Sequence, residues 1–167
     1  MKKIFIAFGV IAFIAMVVGI SSLFLADESL THDGHIPDTI GAYYLTNKIE
    51  GEEAKQIMNQ LHGDEVDLDE AYVLEYQTQR GSYAIVWISE TNLVELPPKL
   101  FEDMLEFVEN SELYINHHEK EISNRNVQYA FGTERDNYYF ATENRFVWVA
   151  TFEDKRDIFI KNAVKIF

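Results

Sequence analysis

Hydrophobic and polar positions divide the chain into three zones. Residues Ile4 to Leu25 form an unbroken apolar run with nothing more polar than Ser21 and Ser22. As a helix rising about 1.5 Å per residue it would reach roughly 33 Å, enough to cross a hydrocarbon core of about 30 Å. Asp27 to Asp38 (DESLTHDGHIPD) is polar, shows no period and contains Gly34 and Pro37, as a tether does. From Thr39 onward, alternating runs and helical spacings succeed one another. The expected organisation is a signal-anchor over 1–26, a polar tether over 27–38 and an α+β domain over 39–167.

Within that domain, Thr39 to Lys48 is rich in aromatic and β-branched residues and reads as a strand. Gly51 to Leu61 spaces Ala54, Ile57, Met58 and Leu61 on one helical face, with Gly63 just beyond as a cap. Ala71 to Gln79 and Ser82 to Ser89 are β-rich runs on either side of Arg80-Gly81, a tight-hairpin spacing. Pro97 and Pro98 suit a first helical turn, after which Phe101, Met104, Leu105 and Val108 make an apolar stripe. Asn126 to Thr133, Tyr138 to Thr142 and Arg145 to Phe152 read as three more strands, the last two joined at Glu143-Asn144. Asp154 is placed to cap a final helix running to Ile166. The expected fold is therefore α+β: an antiparallel-dominated sheet of about six strands, helices packed on one face, and one N-terminal transmembrane helix before it. Ala84-Ile85-Val86-Trp87-Ile88 and Arg145-Phe146-Val147-Trp148-Val149 echo each other, which raises the question of a duplicated ββα unit.

Charge orients this arrangement. Lys2 and Lys3 precede the apolar run and Asp27 and Glu28 follow it, so the positive-inside bias leaves the N-terminus cytoplasmic and the domain outside the cell membrane. The run from Ile4 to Leu25 exceeds a signal-peptide core of about 7–15 residues, and Phe24 stands where cleavage wants a small residue, so a retained single-pass anchor is expected. All 28 acidic residues lie after position 26, and the chain carries a net charge of −14. Nucleic acid is not an expected partner, because that charge repels phosphate backbones.

Candidate chemistry is sparse. The chain has no cysteine, which removes disulfides, thiolate catalysis and thiolate metal ligands. Neither Gly-x-Ser-x-Gly nor a phosphate-cradling glycine loop occurs. His62, Asp64 and Asp67 form a candidate metal set within an acidic stretch, but its spacing is not that of a calcium-binding helix–loop–helix. His32-Asp33-Gly34-His35 reads as solvated tether, and His117-His118-Glu119 as exposed loop. The aromatic content, 9 Tyr and 12 Phe, suggests a recognition face on the sheet, with Tyr44, Tyr76 and Tyr139 as candidate ligand contacts. Adjacent tyrosines on a strand point to opposite faces, so one member of each pair is expected outside the core.

No stretch carries a signature that names a family. The reading favoured by these observations is a membrane-anchored extracytoplasmic binding or accessory-subunit domain, noncatalytic and without cofactor, that engages an envelope protein partner. The alternative is a metal-binding or metal-dependent protein built on His62 and the acidic cluster at 64–70.

Overall fold

Three six-residue stretches, 71–76, 84–89 and 146–151, are buried without interruption. A strand buried at every position has something packed on both of its faces, and this property organises the whole domain. The computed structural model describes residues 36–62, 65–154 and 157–167. Its strands are β1 (Thr39–Ile40), β2 (Tyr43–Glu50), β3 (Glu70–Gln77), β4 (Tyr83–Glu90), β5 (Tyr114–Ile122), β6 (Arg125–Gly132), β7 (Arg135–Ala141) and β8 (Arg145–Phe152). Its helices are α1 (Gly51–His62), α2 (Leu96–Glu109) and α3 (Ile158–Ile166).

The strands form one 8-stranded sheet in the order β1-β2-β3-β4-β8-β7-β6-β5, with every neighbouring pair antiparallel. The β4–β8 pair closes the middle and sets Trp87 directly opposite Trp148. On one face α3 packs Phe159, Ile160, Ala163 and Val164 against Tyr72, Leu74, Val86 and Val149. On the other, Ala54 and Met58 of α1 and Leu100 and Val108 of α2 cover Val73, Ile85, Trp87 and Trp148.

This mostly-sheet fold corrects the expected α+β arrangement in three respects. The sheet has eight strands rather than six, because Gly41, at φ +63°, turns the first run into two strands and because 114–122 is a strand. The stretch containing His117-His118-Glu119, expected as loop, is an edge strand whose outer side faces water and therefore accepts charge without an apolar alternation. Helices cover both faces rather than one, as the doubly buried central strands require. Finally, no helix among the described residues is long and apolar enough to cross a membrane. The expected span, with Lys2, Lys3, Ile4 and Leu25, and the tether up to His35 lie outside the described residues.

The Trp87 and Trp148 echo is a true neighbour relation but not a duplication. A two-fold axis through the β4–β8 pair, normal to the sheet, would keep the helices following those strands on the same face. α2 and α3 lie on opposite faces instead.

Turn chemistry fixes the registers. Ser123 and Asn124 (φ 54° and 64°) and Thr133 and Glu134 (φ 54° and 62°) make the two-residue hairpins on either side of β6. Successive positive φ values match the twist of the flanking strands. Before α3, the Asp154 carboxylate accepts the Phe159 N–H at 2.9 Å and the Ile160 N–H at 3.3 Å, and the Tyr43 hydroxyl donates to it at 3.2 Å. Asp154→Ala leaves those donors without an acceptor, and the cost expected for a lost cap is about 1–2 kcal/mol. Urea unfolding of the two proteins measures it.

Candidate functional site

Alternation along three adjacent strands builds one concave floor. β4 points Trp87 and Ser89, β8 points Phe146, Trp148 and Ala150, and β7 points Arg135 and Asn137 to the face that α1 and α2 cover. The β4–β8 register brings Ser89 opposite Phe146, and the β7–β8 register brings Asn137 opposite Ala150. From above, Met58, Leu61 and His62 descend from one side of α1, and Met104 and Phe107 from one side of α2. Between floor and helices lies a cavity of about 50 Å³.

Its walls are apolar and aromatic. Tyr139 stacks on Trp148 with ring centres 4.9 Å apart and planes 7° from parallel, and Tyr114 meets Trp148 edge-on at 5.9 Å. The polar atoms fall into two sets. Asn137 is fully used: its Nδ2 donates to the carbonyls of Gly132 and Arg135 at 3.1 Å, and its Oδ1 accepts from Trp148 Nε1 at 3.2 Å. Thr133 donates its hydroxyl to the Gly132 carbonyl at 2.7 Å. Trp87 Nε1, Ser89 Oγ and one terminal nitrogen of Arg135, by contrast, are buried and have no hydrogen-bond partner. A buried unpaired polar group costs about 1–3 kcal/mol, so three around one cavity are notable in a well-packed domain.

His62 closes the cavity at the end of α1, edge-on to Phe146 at 6.1 Å. Burial lowers its pKa from 6.5, and the nearby Asp103 carboxylate acts in the opposite direction. The folded state therefore resists a proton that the unfolded chain accepts. Stability contributed this way is full above pH 6.5 and declines as pH falls from there toward the folded pKa. Asp154, whose pKa burial raises from 3.8, acts with the opposite sign, in the range upward from pH 3.8 to its folded pKa. Urea midpoints at pH 7.5 and pH 6.0 should thus differ in the wild type, lower at pH 6.0, and differ less in His62→Gln.

The residues expected from sequence to share a site do not meet. Tyr76 and Tyr139 are 0% and 1% exposed and project to opposite faces of the sheet. Tyr76 donates its hydroxyl to the Pro37 carbonyl at 2.8 Å, and burial raises the pKa of both phenols. Tyr44, 49% exposed, lies in a wider depression of about 580 Å³ between the 78–82 hairpin and Glu153. The Tyr43–Asp154 pair lining that depression is already satisfied by its own hydrogen bond and by the helix cap. Tyr43 and Tyr44 divide between inside and outside, whereas Tyr138 and Tyr139 are both buried because each face there is covered. Of the metal candidates, His62 lines the central cavity, Asp67 is exposed and Asp64 lies outside the described residues. Among the described residues no three His, Asp or Glu side chains gather as a metal-binding group.

Sequence reasoning missed Ser89 and Arg135. Ser89 is the one hydroxyl in the run Ala84 to Ser89, and that break in an apolar strand was the available signal. Fold and cavity together define a class: an antiparallel sheet sandwiched by helices, with a small aromatic cleft at its centre. No family model matches the chain, and neither a curated protein nor a solved structure matches it.

Proposed function

We propose that this chain is a noncatalytic binding domain, tethered to the cell membrane through its N-terminal apolar segment and displayed on the extracytoplasmic side, with the central cleft as its ligand site. The observation that carries the reading is an apolar, aromatic cleft between the sheet and two helices, whose lining residues Trp87, Ser89 and Arg135 each hold a buried polar atom without a partner. Binding sites are apolar clefts that include a few polar groups, and buried polar atoms without partners are uncommon in a packed core. Ser89 and His62 share the lining, yet Ser89 Oγ has no hydrogen-bond partner, so no nucleophile–base pair is assembled. The membrane placement rests on the apolar run and its flanking charges, and an envelope protein partner would fit that location.

A panel of small apolar solutes tests the site through thermal shift, because a ligand of the native state raises its melting temperature. Saturable shifts are expected in the wild type and not in Ala150→Leu, whose longer side chain occupies the cavity. Equal shifts in both proteins, or none in the wild type, would contradict the proposal.

A further inference from the structure

On the face that α3 covers, the β5–β6 and β6–β7 registers set His118, Tyr129 and Tyr138 in one row across the sheet. Neighbours in such a row share a face, so their rings meet. The Tyr129 ring centre lies 5.3 Å from that of Tyr138 and 4.9 Å from that of His118. Both hydroxyls are taken by carboxylates: Tyr129 donates to Asp136 at 2.7 Å and Tyr138 donates to Asp157 at 3.2 Å. Burial, reinforced by Asp136 and Asp157, raises the Tyr129 pKa to about 12, so this phenol keeps its proton and its hydrogen bond. Tyr129 is half-buried and Tyr138 buried, which makes Tyr129 the open ring and Tyr138 the wall behind it.

One cation already sits there. The Lys120 ammonium lies 3.7 Å from the Tyr129 ring centre and 5.4 Å from that of Tyr138, within the roughly 6 Å over which a ring attracts a cation. It makes no ion pair or hydrogen bond with any described residue. The site thus holds positive charge by ring contact beside two carboxylates and offers no acceptor to an N–H. A primary ammonium forgoes there some of the hydrogen bonds that water gives its three donors, whereas a cation without N–H groups forgoes none. Phe131, two residues on from Tyr129 and 38% exposed, adds apolar surface on the same face. The net charge of −14 also favours a positive ligand. Lys120 is half-buried on the last strand of the sheet, so its side chain can leave the rings without unpacking the core.

We propose that Tyr129 and Tyr138 form a recognition site for a quaternary ammonium group, with the Lys120 ammonium as its tethered competitor in the free protein. The site lies on the face of the sheet opposite the cleft and stands independently of it.

The test titrates the full chain, in a nonionic detergent, with choline, ethanolamine and an uncharged choline analogue bearing a tert-butyl group in place of trimethylammonium. Carbon–proton correlation reads the ring signals of Tyr129 and Tyr138. Choline should shift both rings and saturate, ethanolamine should bind more weakly, and the uncharged analogue should leave the rings unmoved. Lys120→Ala should bind choline about 5- to 30-fold more tightly than the wild type, the range for a partly desolvated cation–π contact. In that background Tyr129→Leu should lose the gain, and Tyr129→Phe, which keeps a ring, should retain it. Free choline and a phosphatidylcholine headgroup present the same cation, and bilayers separate them. A headgroup ligand shifts the rings in phosphatidylcholine but not in phosphatidylglycerol, whereas a free ligand shifts them only when choline is added. Equal binding of the uncharged analogue, choline binding no tighter to Lys120→Ala than to the wild type, or choline leaving both rings unmoved in Lys120→Ala would overturn the proposal.

Discussion

Phe159→Ala should remove about 3–5 kcal/mol of stability, the range for deleting a large aromatic side chain from a packed core. Phe159 is 0% exposed, meets the Tyr43 ring edge-on at 4.8 Å and the Tyr76 ring at 5.5 Å, and is the first residue of α3 to enter the core. No other helix among the described residues covers that face, so no second helix can close over the space left behind. Ile158 on the same turn is 45% exposed, and Ile158→Ala should change stability by no more than about 0.5 kcal/mol. Denaturant midpoints of the two variants against the wild type separate a core anchor from its exposed neighbour. Equal midpoints would mean that α3 does not dock as described.

Gly132→Ala should cost about 3 kcal/mol, the upper end for overpacking, and should disturb the cleft as well. Gly132 is paired across the β5–β6 register with Tyr114, whose ring lies over it. A β-carbon there would come within 2.3 Å of Tyr114 Cδ1 and 2.7 Å of the Leu113 carbonyl oxygen. The second neighbour is backbone and cannot rotate aside. Displacing Tyr114 loosens its contacts with Phe107 at 6.1 Å and Trp148 at 5.9 Å, so the tryptophan emission should change along with the stability. In a Tyr114→Ala background most of the ring clash is gone, and the added cost of Gly132→Ala should shrink. Additive costs would place the strain elsewhere.

These particulars show what the sequence makes legible. The helical stripes of 51–61 and of the segment after Pro97-Pro98, and the β-rich runs at 71–79, 82–89 and 145–152, could be read because local burial imposes a local period. β5 could not. Of its residues only Tyr114 and Ile122 are buried, and an edge strand bearing Asn116 to Glu121 leaves no apolar alternation. The same locality explains the mistaken helix placement: continuous burial in β3, β4 and β8 was the sign of two covered faces, but it looks like any apolar run until the registers are known.

The cleft was the least legible part. Trp87 and Ser89 on β4 and Arg135 on β7 line one cleft only because β8 returns between those strands. No local motif encodes that pairing. The exposed-aromatic argument pointed instead to Tyr76 and Tyr139, which serve the core, and to Tyr44, which lies in the outer depression.

The most direct test of the cleft as a ligand site is the pair of indole N–H resonances of the full chain, observed by proton–nitrogen correlation during a titration with the panel of small apolar solutes. Trp148 Nε1 is already bonded to Asn137, whereas Trp87 Nε1 has no partner. The Trp87 and Trp148 signals are both expected to move and saturate, because both rings line the cleft. A Trp87 signal that stays fixed throughout, whether or not amides elsewhere respond, would contradict the account.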